Sequence, residues 1–387
     1  MTKKCLLVQS KNSADWAIRF FQDINQGLLD VGVETTLGIS DPEELAKLWS
    51  AYIDELEPGS TINIFGMNTF PRIDVHSLPP RISGLNSISW MGDSPAHQID
   101  RMIGLSQSTH LGFVDAGHLE LCREFGLDFP MSFLPHGGPA VENQLRSFDD
   151  RDIDFLFSGT LNEVVSFEEW KDQNPNVPGF IADLVFSATE LLVSSRITPF
   201  DAWKSRCGDT GFDFRAQLRP EDCLKTLSVI EGLAQSLRRK NVLSSISPER
   251  SLYIATPTLP DYLKGRPNVV FLGWTEFHEL YELFQRTRIV LNPQSKFSQG
   301  SHERIWYPMA AGAVVATDES QFVLETFTHG ESIVILPWGD TSEEFQPLSA
   351  LAGDCQTLES IRATALPIYS ANHLWKNRAN LIADLLV

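Results

Sequence analysis

The segment "NPQSKFSQGSHERIWYPMAAGAVVATDES", residues 292 to 320, gathers side chains suited to holding an anion. Gly300 lets the backbone come close to a ligand, and Ser301 can cap the free N–H groups of a helix predicted to begin there. A helix start carries partial positive charge, and His302 and Arg304 add donors in its first turn. The combination suits phosphate. Pro308 cannot donate to the carbonyl of Arg304, so it either kinks the helix beside a ligand or sits near a helix start dictated by the fold. Ala310, Ala311 and Gly312 are small enough to pack a helix closely on a sheet, a role that needs no ligand.

Proton transfer has three candidates: Asp93, His97 and His136. Asp93, in "GDSP", is either a base or the N-cap of a helix from Pro95. His136, in "PHGG", either reaches a reacting group or bonds to backbone where the chain turns, and His97 falls on a helix surface. Metal chemistry is poorly provided for. Asp150, Asp152 and Asp154 form two DxD pairs, but they precede a strand and read as a solvated interdomain segment. His110, His118, His278 and His329 have no ligand at metal spacing. There is no Gly-x-Ser-x-Gly elbow and no GxxxxGK[ST] loop.

These residues need elements to position them. The first part of the chain alternates short apolar runs, predicted as strands at 5–9, 34–39, 61–65, 87–91, 110–114 and 131–134, with helical stretches at 14–29 and 42–56. A second series starts with "IDFLFSG" at 153–159, passes through roughly ninety mostly helical residues, and resumes with strands at 251–256, 268–273, 288–292, 313–317 and 332–337. Such alternation predicts parallel strands joined by crossover helices. Two doubly wound α/β domains follow, divided between residues 140 and 152. Ligands of open parallel sheets sit at the carboxyl ends of strands, so a cleft between two such domains is the expected site. The residues to watch are Gln9-Ser10-Lys11, Gly92-Asp93-Ser94, Pro135-His136-Gly137-Gly138, Ser158-Gly159-Thr160, Gly273-Trp274-Thr275, Asn292-Pro293 and Thr317-Asp318-Glu319.

Composition narrows the partners. With 387 residues, nine Trp, 24 Phe and 42% hydrophobic residues, the chain can bury large cores and shows no periodic repeat. Fifty acids against 31 bases give a net charge of −19, which opposes nucleic acid as a partner but leaves room for a small phosphorylated ligand held by a few local donors. Five scattered cysteines (Cys5, Cys122, Cys207, Cys223, Cys355) without a CxxC pair read as free thiols of a reducing compartment. No signal peptide or apolar run of membrane-spanning length is visible, so a cytoplasmic protein is expected.

The run from Asn268 to Glu319 resembles the donor-binding half of group-1 glycosyltransferases of the GT-B fold. It is most similar to the spore-maturation-protein-like branch: a Gly-Trp turn, an apolar helix, a strand ending in Leu-Asn, then Gly-x-x-x-Arg-x-Phe-Glu-x-Met-Ala-x-Gly and a strand ending in Thr-Asp. Some fifty residues match well; "DIDFLFSGTLN", "SWMGDSPAH" and "ANHLWKNRANLIADLL" match in outline. The resemblance implies two Rossmann-like domains facing across a cleft: residues 1–145 on the acceptor side, 151–370 binding a nucleotide sugar, and a helix at 371–387 crossing back. It implies a metal-independent transfer from a UDP- or GDP-linked sugar, a co-substrate in place of any resident cofactor, to an unidentified acceptor. Gly300, Ser301 and His302 would then approach the diphosphate and Arg304 neutralise it, with Ser158, Gly159 and Thr160 covering the phosphates. Gly273, Trp274 and Thr275 would lie near the nucleobase, and Asp93 or His136 would serve as base if the transfer inverts.

The sequence departs from that pattern twice. Tyr307 stands where the family places the Glu that binds the ribose, and Glu303, one turn earlier, is the available substitute. The Arg-Lys pair of the first donor-domain loop is absent, leaving Arg304 and Lys296 as the nearby bases. Two rival readings stay open: a non-catalytic nucleotide-sugar or glycan binder, which the tyrosine motivates, and a sugar-nucleotide epimerase.

Overall fold

The computed structural model describes residues 3–9, 15–39, 42–68, 78–103, 105–106, 108–338 and 341–387. The chain divides into two compact units, one of Met1–Pro139 with Asn372–Val387 and the other of Ala140–Ala371. The division falls just before the span predicted from sequence, so residues 140–145 belong with the second unit.

The first unit is a six-stranded parallel sheet built from β1 (Lys4–Gln9), β2 (Glu34–Ile39), β3 (Thr61–Met67), β4 (Gly84–Met91), β5 (His110–Phe113) and β6 (Met131–Phe133), in the order β2-β1-β3-β4-β5-β6. Helices α1 (Asp15–Asp30), α2 (Pro42–Asp54), α3 (Pro95–Met102) and α4 (Ala116–Glu124) connect the strands. The central strands read as unbroken apolar runs because both faces are covered: Cys5 to Val8 of β1 are all buried. Helix α1 turns Ala17, Phe20, Phe21, Ile24 and Leu28 inward at helical spacing. The chain's last helix lies against α1 so closely that a Cβ on Gly27 would stand 3.1 Å from the Trp375 backbone. Val387 then pairs with Asn63, donating to its Oδ1 at 2.9 Å and accepting from its Nδ2 at 3.0 Å.

The second unit is a six-stranded parallel sheet of β7 (Ile153–Ser158), β8 (Leu252–Ala255), β9 (Val269–Gly273), β10 (Thr287–Asn292), β11 (Val314–Thr317) and β12 (Val334–Ile335). Its first crossover is the long one, made of α5 (Phe167–Gln173), α6 (Gly179–Ser194), α7 (Pro199–Thr210), α8 (Phe214–Gln217) and α9 (Pro220–Ser245). Helices α10 (Phe277–Arg286), α11 (Glu303–Ala310), α12 (Gln321–Thr326), α13 (Gln346–Leu351) and α14 (Cys355–Asn372) complete it, and α15 (Trp375–Leu385) is the helix that joins the first unit. The strand order β12-β11-β10-β7-β8-β9 places the unit's first strand in the middle, with successive crossovers running outward on either side. The order reverses between β7 and β10. That is where a doubly wound sheet opens a crevice for a ligand.

Two sequence expectations need correction here. The acidic run 150–154 is not merely a solvated connector. Asp152 pairs with Arg286, and Asp154, inside β7, lies 2.9 Å from Arg288 and 3.8 Å from Arg250. These carboxylates tie β7 to its neighbours. The helix of the "GSHER" motif starts at Glu303 with His302 as its cap, two residues later than predicted. Pro308 therefore lies in its second turn, inside the helix.

Candidate functional site

The order reversal of the second unit brings the ends of β7 and β10 side by side. Strand β7 delivers Ser158-Gly159-Thr160, and Gly159 holds φ +137°, a backbone conformation that side-chain-bearing residues rarely adopt. A Cβ there would stand 2.5 Å from Arg304 Nη1. The absence of a side chain thus lets a guanidinium lie against the loop.

Arg304, in the first turn of α11, donates through Nη1 to the Ser158 carbonyl at 2.7 Å and through Nε to His302 Nδ1 at 3.2 Å. His302 also caps the helix, its Nδ1 lying 3.3 Å from the Arg304 N–H and 2.7 Å from Glu303 Oε2. Accepting at Nδ1 satisfies the helix; carrying a proton there satisfies the carboxylate.

A second guanidinium enters from α9. Arg239, buried, donates to the Thr160 carbonyl, and its charge centre lies 5.5 Å from the centroid of the Phe157 ring, while that of Arg304 lies 5.8 Å from the same centroid. Gln235, one turn back, accepts from Arg239 Nε at 3.2 Å and lies 2.8 Å from the Gln294 side chain. Burial pulls the pKa of Arg239 well below its ordinary value and Arg304 pulls it further, against Tyr262, Asp318 and Glu303. Arg304 is lowered too, by burial first, with Glu303 opposing. Among the described residues neither guanidinium has a carboxylate within ion-pair distance. Two cations stand together with no carboxylate in direct contact, Glu303 and Asp318 acting only from a distance.

The adjacent arginine is used differently. The buried stripe of α9 runs Cys223, Leu227, Ile230, Ala234, Arg238 and Val242, with a charged residue in an apolar position. Arg238 is tolerated there because Asp318 meets it at 2.6 Å, with both side chains 1% exposed. Its remaining donors go to the carbonyls of Pro337 and Trp338, and the other Asp318 oxygen accepts from the Gln294 N–H at 2.8 Å. This pair fixes α9 to the ends of β10 and β11.

Other residues singled out from sequence are placed as follows. Ser301 is buried and its Oγ accepts from Trp306 Nε1 at 3.2 Å, so it packs the helix rather than capping it. Gly300 accepts from Ser320 through its carbonyl at 2.6 Å. Lys296 lies 5.8 Å over the Phe297 ring. Tyr307 is 2% exposed, packed edge-on against Phe277, which leaves its phenol away from the surface; Glu303 is half-buried in the first turn. Trp274 is 58% exposed just after β9, its Nε1 3.3 Å from Glu276, and Thr275 donates to the Gly273 carbonyl. The expectation that Arg304 and Lys296 are the nearby bases is corrected by Arg239, which lies some sixty residues upstream in sequence.

In the first unit, Ser94 rather than Asp93 caps α3, accepting from the Ala96 N–H at 3.3 Å. Asp93 is half-buried, 3.5 Å from Gln98 Nε2, and His97 is exposed on the helix. His136 is not presented to solvent. It is 3% exposed, ringed by Trp90, Phe20 and Trp375 at centroid separations of 4.8, 6.2 and 6.5 Å, and its carbonyl accepts from Arg378. Its imidazole therefore packs where a base would have to be exposed. Ser10 and Lys11 lie outside the described residues. Among the described residues no group of three or more His, Cys, Asp or Glu is arranged to hold a metal ion, and no helix is long and apolar enough to cross a membrane.

Residues 235–384, which begin at Gln235 and include both site arginines, match a protein family described as "Glycosyl transferase-like". Among solved structures the chain is similar to Anabaena Alr3699/HepE in complex with UDP and glucose, at 12% identity and TM-score 0.53, covering 99% of this chain and 98% of that one. By the family that its C-terminal part matches the chain is a glycosyltransferase, and its fold is GT-B. An alpha-glucosyltransferase in complex with UDP and a 13-mer DNA shares this fold at 8% identity and TM-score 0.56, covering 100% and 99% of the two chains. The sucrose-phosphate synthase of Thermosynechococcus elongatus shares it at 11% identity and TM-score 0.50, covering 99% and 98%. No curated protein matches the glycosyltransferase chain in sequence.

Proposed function

We propose that this glycosyltransferase, of the spore-maturation-protein-like branch, moves a sugar from a uridine diphosphate donor held by the second unit to an acceptor taken at the strand ends of the first. The observation that carries the reading is Arg304, held against Gly159 by the Ser158 carbonyl at 2.7 Å and lacking a carboxylate partner. As the bond to the sugar breaks, negative charge grows on the departing diphosphate. A guanidinium and the first-turn N–H groups of α11, fixed in place beforehand, stabilise that charge in the role a metal ion plays elsewhere. No resident cofactor is assigned: the nucleotide sugar is itself consumed. The structures with UDP or UDP-glucose bound to the same fold support uridine as the base.

The net charge of −19 supports an acceptor other than nucleic acid. With His136 enclosed by rings, Asp93 is the remaining base should the transfer invert. Four of the five thiols are buried, and burial pushes Cys5, Cys122 and Cys207 up to about 12, which fits unreactive cysteines of a cytoplasmic protein.

Buried Tyr307 favours a second reading, a nucleotide-sugar binder without turnover, because that position offers no acceptor for the ribose. Donor hydrolysis separates the two. Incubation with UDP-glucose in a chelating buffer, followed by chromatography, is expected to show slow release of UDP. Tight binding with no release over a day would leave the binder; release of an isomerised sugar nucleotide would indicate an epimerase.

A further inference from the structure

We infer that Arg239 is a ligand-binding residue, supplying from the long crossover helix α9 the second positive charge that a diphosphate needs. The inference rests on the nucleoside diphosphate donor proposed above. Two like charges share one aromatic ring, that of Phe157, and one three-residue loop, with Arg304 on the Ser158 carbonyl and Arg239 on the Thr160 carbonyl. Each hydrogen bond to a carbonyl orients a guanidinium without cancelling its charge. Burying a cation without a partner is costly, and placing two together adds their repulsion. A fold that needed only the hydrogen bond to Thr160 could use a neutral donor there.

The neighbouring residue explains how the position is kept. Arg238 is locked to Asp318 at 2.6 Å, which sets the rotation of α9. The next residue, a hundred degrees around the helix, then emerges over the loop rather than into the core. One arginine of the adjacent pair is neutralised and anchors; the other has no carboxylate in direct contact and lies against the Ser158–Thr160 loop. A ligand carrying a single phosphate leaves one of the two cations uncompensated, whereas a diphosphate satisfies both, so the pair reads the number of phosphates.

The test compares UDP and uridine binding by calorimetry in the full-length wild type, Arg239→Met and Arg239→Lys. Methionine keeps an apolar stem over Phe157 and removes the charge, so UDP affinity is expected to fall about tenfold to a hundredfold while uridine affinity changes less than about twofold. Lysine should recover part of the loss, since it restores charge without the planar fork. In the absence of ligand the methionine variant should melt no lower than wild type, because a repulsion has been removed; a merely structural arginine would melt lower and lose both ligands equally. Unchanged UDP affinity in the methionine variant overturns the inference. If that variant fails to fold, the lysine variant decides alone, with undiminished UDP affinity again overturning it. Failure of wild type to bind UDP or any other nucleoside diphosphate would instead overturn the donor site proposed above, and this inference with it.

Discussion

The two units are built on the same plan and use their strand ends for opposite purposes. In the first, the imidazole of His136 beyond β6 is enclosed by Phe20, Trp90 and Trp375, and Arg378 caps the His136 carbonyl at 2.9 Å. In the second, the ends of β7 and β10 meet two guanidiniums that, among the described residues, have no carboxylate within ion-pair distance. The strand orders of the two sheets can be set beside this difference. The first sheet reverses between β1 and β3, whose following loops, 10–14 and 69–77, lie outside the described residues, and β6 is its edge strand. The second reverses between β7 and β10, where the cations converge. A polar residue type after a strand is therefore weak evidence of function; the strand's place in the order carries more.

Several substitutions sharpen this contrast. The largest effect is expected from Asp318→Ala, which strands Arg238 in the core; a loss of about 3 to 5 kcal/mol in urea unfolding is expected, and near-normal stability would dissolve the claimed anchor of α9. In the first unit, His136→Ala should destabilise by about 2 to 4 kcal/mol through the cavity left among the rings. At a temperature where the variant stays folded, its turnover should stay near wild type. Lost turnover in a stable variant would return His136 to the catalytic machinery.

The first unit should also respond to acid. Burial, then Arg378, holds the His373 pKa down to about 3 from an ordinary 6.5. The unfolded chain takes up a proton below 6.5 that the folded one refuses. Stability is therefore full above that pH and falls as pH drops, by about 2 kcal/mol between pH 6.5 and 5. His373→Gln should flatten this part of the stability profile, and an unaltered slope would place the sensitivity elsewhere. A stability change of similar size belongs to the second unit: Gly159→Ala is expected to cost about 1 to 3 kcal/mol from backbone strain. It should also displace Arg304 and weaken UDP binding, so normal UDP affinity would show that close approach to the loop is unnecessary.

Much of this was legible in the chain itself. Apolar runs bounded by polar loops located the strands of both sheets among the described residues, most clearly where a parallel strand is buried on both faces, as in "CLLVQ" and "RIVLN". Arg304 was legible because its neighbours Gly300 to Glu303 announce a helix start. Arg239 was not. It sits in a helix whose polar and apolar residues give no local sign of a ligand, and its meaning depends on a loop some eighty residues earlier. The double arginine "LRRK" was the available clue, but only Asp318 reveals that one of the two is neutralised. Ser301 shows the reverse: a hydroxyl in a suggestive motif accepts from the Trp306 indole rather than capping the helix.

The most direct test of the account is calorimetric titration of UDP into wild type and Arg304→Ala in chelating buffer. The expected result is binding by the wild type and an affinity lower in the variant by about 1.5 to 3 kcal/mol, the worth of hydrogen bonds to a charged group. Equal affinities in the two proteins would contradict it.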